Sequence, residues 1–462
     1  MARILILGAG PCGLGAAVKL QRCGERDFTV LEAGELPGGL ARSFVDEQGF
    51  TWDIGGHVQF SHYEDFDDLM DEVLPNEWLT HQRESWVRME NRWIPYPFQY
   101  NLHRLSPESQ QRCLEGLERL EVKSRADSRP QNFGEWIDQS FGDGISKIFM
   151  RPYNFKVWAH PPELMSYQWI GERVAQVQIE RVRENIRLQK DDVSWGPNAT
   201  FRFPKQGGTG EIWKRVGRLV GNRLRLKTRV TRIDLRAKRV TLEASDQIEF
   251  DYLLNTLPLD VFARLAHFEL AGELLFSRSH IVGLGLEGPQ PEELRTKCWM
   301  YFPESNSPYY RATVFSNYSP AHVPNPSKHW SLMCETAESS YKKVSTQTLI
   351  ADTERALRED GLILPETRVV SRWHFVAPHG YPIPSLNRDQ IVHDALHRLE
   401  AYSVYSRGRF GLWKYEVSNQ DHSFMQGYEW ASGLIEGTEQ WTYRDPARVN
   451  APGKRPRLPQ IW

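Results

Sequence analysis

The sequence predicts an α/β protein: a nucleotide-binding unit into which a helical segment and an antiparallel β-sheet segment are inserted. Three observations predict it. A β-α-β pattern with a glycine turn opens the chain at residues 3–32, a mainly helical stretch occupies 100–195, and alternating strands begin near 222. A chain of 462 residues also exceeds what one compact core holds, so several units are expected. The element order assigns 1–99, 196–260 and 396–440 to the nucleotide unit, 100–195 to the helical segment and 261–395 to the sheet. Residues 441–462 are left as an extended tail.

The first strand is Ile4 to Leu7, a continuous apolar run of the kind buried on both faces in parallel sheets. Gly8, Gly10 and Gly13 follow, and then Ala16, Ala17 and Leu20 recur at helical spacing. In this Rossmann-like context the first glycine allows a tight turn. The second lets backbone approach a pyrophosphate, and the third lets helix pack on strand. The anion would rest on the helix N-terminus, where amide donors converge. Phe28 to Leu31 is the second strand, and it ends at Glu32, placed to accept ribose hydroxyls. A further glycine loop, Pro37-Gly38-Gly39, comes next.

Ser106-Pro107 reads as a helix start, and Trp136, Ile137 and Phe141 form an apolar stripe. Residues 162–190 read as a helix with one exposed face. Strands are expected over Leu224 to Leu235, Val240 to Glu243, Ile248 to Leu254, and within 275–340 and 366–375. Helices are expected at 344–358 and 418–436. Pro446, Pro452, Pro456 and Pro459 make the tail an extended surface segment.

Composition excludes several classes. A net charge of -2, from 57 basic and 59 acidic residues, argues against a nucleic-acid platform. The five cysteines are scattered without a metal-binding spacing, so no metal is expected and a reducing cytoplasm fits. No run of about 18 apolar residues predicts a membrane span, and the N-terminus does not read as a signal peptide. The 54 aromatic residues are either a large core or the walls of a ring-lined cleft.

Candidate site residues fall in blocks. Gly55-Gly56-His57 would let backbone approach a flat cofactor, and Phe60 follows it. Tyr96-Pro-Phe98-Gln99 and Phe149 to Trp158, with Asn154 between them, interleave rings with amides. Such a set can stack a base and read its edge. Arg173, in Trp169-Ile-Gly-Glu-Arg173, and Arg311, after Trp299-Met-Tyr301, could grip a diphosphate through forked hydrogen bonds. They could equally be structural ion pairs, with Glu172 an obvious acid for a neighbour. Tyr301, Tyr381 and Tyr415 could add hydroxyl donors. The loop Trp195 to Pro204, with Asn198 at its polar tip, reads as a lid.

The Glu32-x5-Gly38-Gly39 extension resembles FAD families related to amine oxidases. Five longer runs are more specific: Gly-Gly-His-Val-x-Phe-Ser-His at 55–62, Phe-Met-Arg-Pro-Tyr-Asn-Phe-Lys-Val-Trp at 149–158, Trp-Gly-Pro-Asn-Ala-Thr-Phe-Arg-Phe-Pro at 195–204, Ser-Arg-Gly-Arg-Phe-Gly at 406–411 and Glu-Val-x-Asn-Gln-Asp-His-Ser-Phe-Met at 416–425. Together they resemble the UDP-galactopyranose mutase family, most closely its eukaryotic-type branch. The resemblance spans roughly residues 3–427, and Gln59 departs from it where the pattern is apolar.

The resemblance implies an FAD-binding domain with the amine-oxidase-like and mutase architecture, and interconversion of UDP-galactopyranose and UDP-galactofuranose. It implies reduced FAD, attacking through N5 at the anomeric carbon while Arg173 and Arg311 retain the departing UDP. NADPH or NADH would reduce the flavin, with Arg83 and Arg409 as contacts. It also places His57 beside the flavin, closes Gly408, Arg409, Asn419 and Gln420 over the pyrophosphate, and gives Phe60, Tyr96, Phe98, Gln99, Phe149, Asn154, Trp158, Asn198, Trp299, Tyr301, Tyr381 and Tyr415 to the substrate. A homo-oligomer is compatible with it. An amine-oxidase-like oxidoreductase, a mutase of a related nucleotide sugar, and a catalytically silent sugar-nucleotide-binding flavoprotein are the alternatives.

Overall fold

The computed structural model describes residues 2–122, 129–171, 177–193 and 199–458. Its first sheet is parallel, with strands in the order Val404–Ser406, Tyr252–Asn255, Ile4–Leu7, Phe28–Leu31 and Leu224–Arg225. Each pair is in register, Ile4 lying between Tyr252 and Phe28. All four residues of Ile4–Leu7 are buried, which explains the uninterrupted apolar run. The sheet thus draws strands from the start, middle and end of the chain. Two helices pack across it. Pro11–Arg22 lies against Gln420–Glu436 so closely that a Cβ at Gly427 would sit 1.9 Å from the Cys12 carbonyl oxygen. The buried Lys19–Glu436 ion pair, 2.8 Å, closes the far end of this contact.

A second sheet of seven strands stands beside it. Its order is Arg368–Pro382, Phe276–Glu287, His329–Glu338, Arg311–Val314, Trp299–Tyr301, Ser85–Met89 and Arg92–Pro95. All pairings are antiparallel except Trp299–Tyr301 with Ser85–Met89. On the long strand Phe276–Glu287, Gly283 and Gly285 leave grooves for the rings of Trp52 and Phe50. A Cβ at either glycine would meet its ring at 2.6–2.7 Å. This contact seats the segment that leads to Gly55-Gly56-His57 on the second sheet. A small antiparallel sheet, Val230–Asp234, Arg239–Leu242 and Gln247–Glu249, flanks the first.

The helical segment holds Pro107–Val122, Phe133–Ile145, Arg151–Trp158 and Ile179–Leu188. Its core gathers Phe98, Leu117, Phe133, Ile137, Phe141, Phe149, Trp158 and Trp169. Among the described residues no helix is long and apolar enough to cross a membrane.

Three placements differ from the sequence reading. Of the helix expected over 162–190, only Ile179–Leu188 is α-helical among the described residues, after a 3-10 turn at Pro162–Leu164. The hairpin 85–95, grouped there with the nucleotide unit, completes the seven-stranded sheet, because the edge of Trp299–Tyr301 needs a partner for its backbone groups. The tail is not simply extended. It forms the short helices Trp441–Arg444 and Pro446–Asn450 and returns to the body, Arg455 bridging Tyr63 and Arg457 pairing with Asp68. Pro446 sits in the first turn of its helix, where a missing N–H costs nothing, so proline content alone misleads here.

Candidate active site

A cavity of about 1740 Å³ opens between the two sheets and the helical segment. One end is built by the glycine turn. Gly8 has φ +97°, and a Cβ there would meet Thr256 Oγ1 at 2.5 Å. At Gly13 a Cβ would lie 1.9 Å from the Gly8 carbonyl oxygen, so the helix can sit on its strand only without a side chain. Gly10 differs: the nearest atom to its Cβ position is Gly39 Cα, 3.9 Å away. That open space at a helix N-terminus is the cradle a pyrophosphate requires. Glu32 forms the next stretch of wall. Its oxygens accept hydrogen bonds from Ala9 N, 2.9 Å, and Gly34 N, 2.7 Å, which fixes the carboxylate while leaving lone pairs toward the cavity. Gly39, Gly56, Gly408, Arg409, Asn419 and Gln420 also line the space. Gly13 and Gly38 stand behind it, Gly38 N donating to the Ala9 carbonyl, 2.7 Å. The residues present therefore fit a dinucleotide such as FAD.

The other end is aromatic and charged. Arg311 and Glu335 are cross-strand partners. Arg311 Nε and Nη2 donate to the two Glu335 oxygens at 2.6 and 2.7 Å. Tyr310 OH and Gly56 N donate to the same carboxylate at 2.9 and 3.0 Å. Burial pushes Glu335 up, but the Arg311 guanidinium, joined by the Gly56 and Tyr310 hydrogen bonds, more than offsets it and holds the acid below the usual carboxylate range. His57 lies alongside. Burial pushes its imidazole down to about 4, opposed by Glu335 and reinforced by Arg311 and Arg409, so it is neutral at pH 7.

Arg409 donates to the Gly380 carbonyl and to Ser418 Oγ, 2.7 Å, with its guanidinium 5.0 Å from the Tyr381 ring. Trp158, Trp169, Tyr381 and Tyr415 form a ring cluster with centroids 4.8–5.7 Å apart. Trp299 Nε1 donates to Tyr301 OH, 2.7 Å. Burial raises Tyr310 and Tyr381, so both phenols remain protonated at neutral pH.

The cavity wall includes His57, Phe60, Asn154, Trp158, Trp299, Tyr301, Arg311, Tyr381 and Tyr415 from the sequence reading. It does not include Tyr96, Phe98, Gln99 or Phe149. Phe98 and Phe149 stack at 4.3 Å in the helical core, and Phe149 backs Tyr153, which does face the cavity. Tyr96 lies behind Tyr301, ring centroids 5.2 Å apart. Arg173 and Asn198 lie outside the described residues.

Sequence reasoning missed Glu335, Tyr310, Tyr153 and Asp421. Asp421 Oδ2 accepts from His62 Nδ1, 2.7 Å, and from its backbone N, 3.1 Å. His62, Asp421 and His422 lie within 4.8 Å of one another. Both ring nitrogens of His422 are engaged, by Tyr63 OH and Asn450 Oδ1, and His62 Nδ1 by Asp421. Hydrogen bonds to protein groups thus hold each of the three side chains in place. Tyr310 adjoins Arg311, Tyr153 falls inside the block Phe149 to Trp158, and Asp421 adjoins Gln420, so these three had a local signal; Glu335 had none.

Residues 11–398 match the family of flavin containing amine oxidoreductases. A crystal structure of reduced UDP-galactopyranose mutase is 46% identical, covers 99% of this chain and 98% of its own, and superposes with a TM-score of 0.95. A protoporphyrinogen oxidase candidate from Exiguobacterium sp. 255-15 is 16% identical over 95% of this chain and 99% of its own, TM-score 0.72. A fatty acid isomerase from P. acnes is 14% identical over 94% and 98%, TM-score 0.62. These last two share the fold alone.

Proposed function

The chain belongs to the flavin containing amine oxidoreductases and, within that fold, to the UDP-galactopyranose mutases, and on that premise we propose how its cavity works. The protein is a flavin-dependent isomerase that interconverts UDP-galactopyranose and UDP-galactofuranose. The observation that carries this reading is 46% identity to a mutase sustained over 99% of the chain. The cavity's polarity supports it. An amine oxidase of this fold needs a mostly apolar cage for an uncharged amine. Here Arg311, Arg409 and several protonated phenols face the space instead.

FAD would be held by the Gly8–Gly10 turn and helix N-terminus at its pyrophosphate and by Glu32 at its ribose. Gly408, Arg409 and Asn419 would close the other side. When bound and reduced, the flavin supplies a nucleophilic nitrogen for exchange at the anomeric carbon. The remaining work belongs to the chain. Arg311 Nη1 and the hydroxyls of Tyr301, Tyr381 and Tyr415 hold the diphosphate, so charge developing on the leaving group meets fixed donors. Arg173 is proposed for the same task. Trp158, Trp299 and Phe60 exclude water and keep the departed UDP beside the sugar. His57, neutral at pH 7, can exchange a proton beside the flavin. NADPH or NADH is proposed as electron donor, with Arg83 and Arg409 as candidate contacts.

The test is direct. The purified protein is reduced with dithionite, supplied with UDP-galactofuranose, and assayed for UDP-galactopyranose. Turnover is expected only after reduction and without stoichiometric loss of reductant. One reductant consumed per product, or equal activity when oxidised, would refute the nucleophilic role of reduced flavin.

A further inference from the structure

We infer that Glu335 is a positioning residue for the reaction: it aims the diphosphate-holding Arg311 and ties it to the His57 turn. The inference rests on the mutase reading above. Arg311 spends its forked edge, Nε and Nη2, on Glu335 at 2.6 and 2.7 Å. Among the described residues no hydrogen bond reaches its Nη1. The guanidinium therefore meets an anion in the cavity with one edge only, and Glu335 decides where that edge points.

The same carboxylate reaches the cofactor side. Its Oε1 also accepts Gly56 N, 3.0 Å, one residue before His57. The turn is pressed onto it: a Cβ at Gly55 would lie 3.2 Å from Glu335 Oε2, and one at Gly56 3.6 Å from Arg311 Cζ. Tyr310 OH supplies a fourth hydrogen bond at 2.9 Å. With its side chain 3% exposed, Glu335 has no freedom to follow solvent. Arg311 and Glu335 belong to the second sheet, whereas Gly56 leads from the strand Thr51–Asp53. One buried acid thus sets the position of the leaving-group cation relative to the His57 turn. A sub-ångström error in that relation slows chemistry more than it weakens binding.

The test uses FAD-loaded, reduced enzyme and reads kcat per bound FAD beside UDP affinity. Glu335→Gln keeps the acceptor for Gly56 but turns an NH2 toward Arg311, so the guanidinium loses its aim. We expect kcat to fall at least about tenfold while UDP affinity changes less than about threefold. Glu335→Asp, which keeps the charge but shortens the reach, should recover part of the loss, and it serves if the glutamine variant does not fold. In an Arg311→Ala background, Glu335→Gln should cost less than about twofold more, because its effect runs through Arg311. Wild-type kcat in Glu335→Gln would overturn the inference. So would an equal loss with and without Arg311, which is what a merely structural acid predicts. A wild type that neither binds UDP nor turns over would instead overturn the mutase reading, and this inference with it.

Discussion

Changing Arg311 to Ala should damage both stability and ligand binding, and the two losses should separate with pH. The guanidinium supplies two of the four hydrogen bonds to Glu335, which is 3% exposed. Removing one partner of a buried pair costs about 3–5 kcal/mol, because the remaining charge is left uncompensated. Glu335 can escape part of that cost by taking a proton. In the wild type its folded pKa is depressed, so the pair contributes stability above the unfolded value of about 4.3 and loses it as pH falls. In Arg311→Ala the burial that opposes ionisation is no longer offset, so the folded pKa rises. A raised folded pKa reverses the sign: stability is retained at low pH and lost as pH climbs through it.

The variant's deficit in denaturant unfolding should therefore be largest near pH 8 and shrink toward pH 5. Arg311→Ala/Glu335→Gln should recover most of it. UDP affinity should not recover, since the Nη1 contact is gone. One charge-assisted contact of about 1.5–3 kcal/mol corresponds to about a tenfold to hundredfold weaker dissociation constant by calorimetry. Wild-type UDP affinity in Arg311→Ala would refute the diphosphate role. A pH-independent deficit would refute the account of Glu335.

Other expectations are simpler. Glu32→Ala removes the acceptors for Ala9 N and Gly34 N along with the ribose partner. FAD retention after gel filtration should drop at least about tenfold, read by absorbance and released-flavin fluorescence. Gly427→Ala places a methyl within 1.9 Å of the Cys12 carbonyl and must push two helices apart, costing about 1–3 kcal/mol in a melt; an unchanged melting temperature would contradict the packing. His57, lowered to about 4, contributes stability present above its unfolded pKa near 6.5 and lost as pH falls toward 4. The acid limb of kcat/KM should accordingly lie below pH 5, and a limb near 6.5 that vanishes in His57→Asn would show the imidazole to be ionised more readily than its surroundings allow.

The sequence by itself determined the nucleotide end of this site. Gly8, Gly10, Gly13 and Glu32 act through one turn, one helix start and the next strand, so their spacing carries their geometry. The helix at the far end, Gln420–Glu436, was legible for the same reason, because its pattern repeats along one element. Tertiary structure alone decided the substrate end. Nothing near Arg311 in the sequence announces Glu335, 24 residues on; the antiparallel register of two strands makes them neighbours. His62 finds Asp421 across 359 residues. Phe98 and Trp158 are large rings in similar company, yet one lies wholly within the helical core and the other reaches the cavity wall. Being a large ring among polar neighbours does not separate the two fates, because burial is set by which elements close over a residue. Local geometry is written in consecutive residues, whereas a wall assembled from two sheets and a helical segment exists only once they have packed.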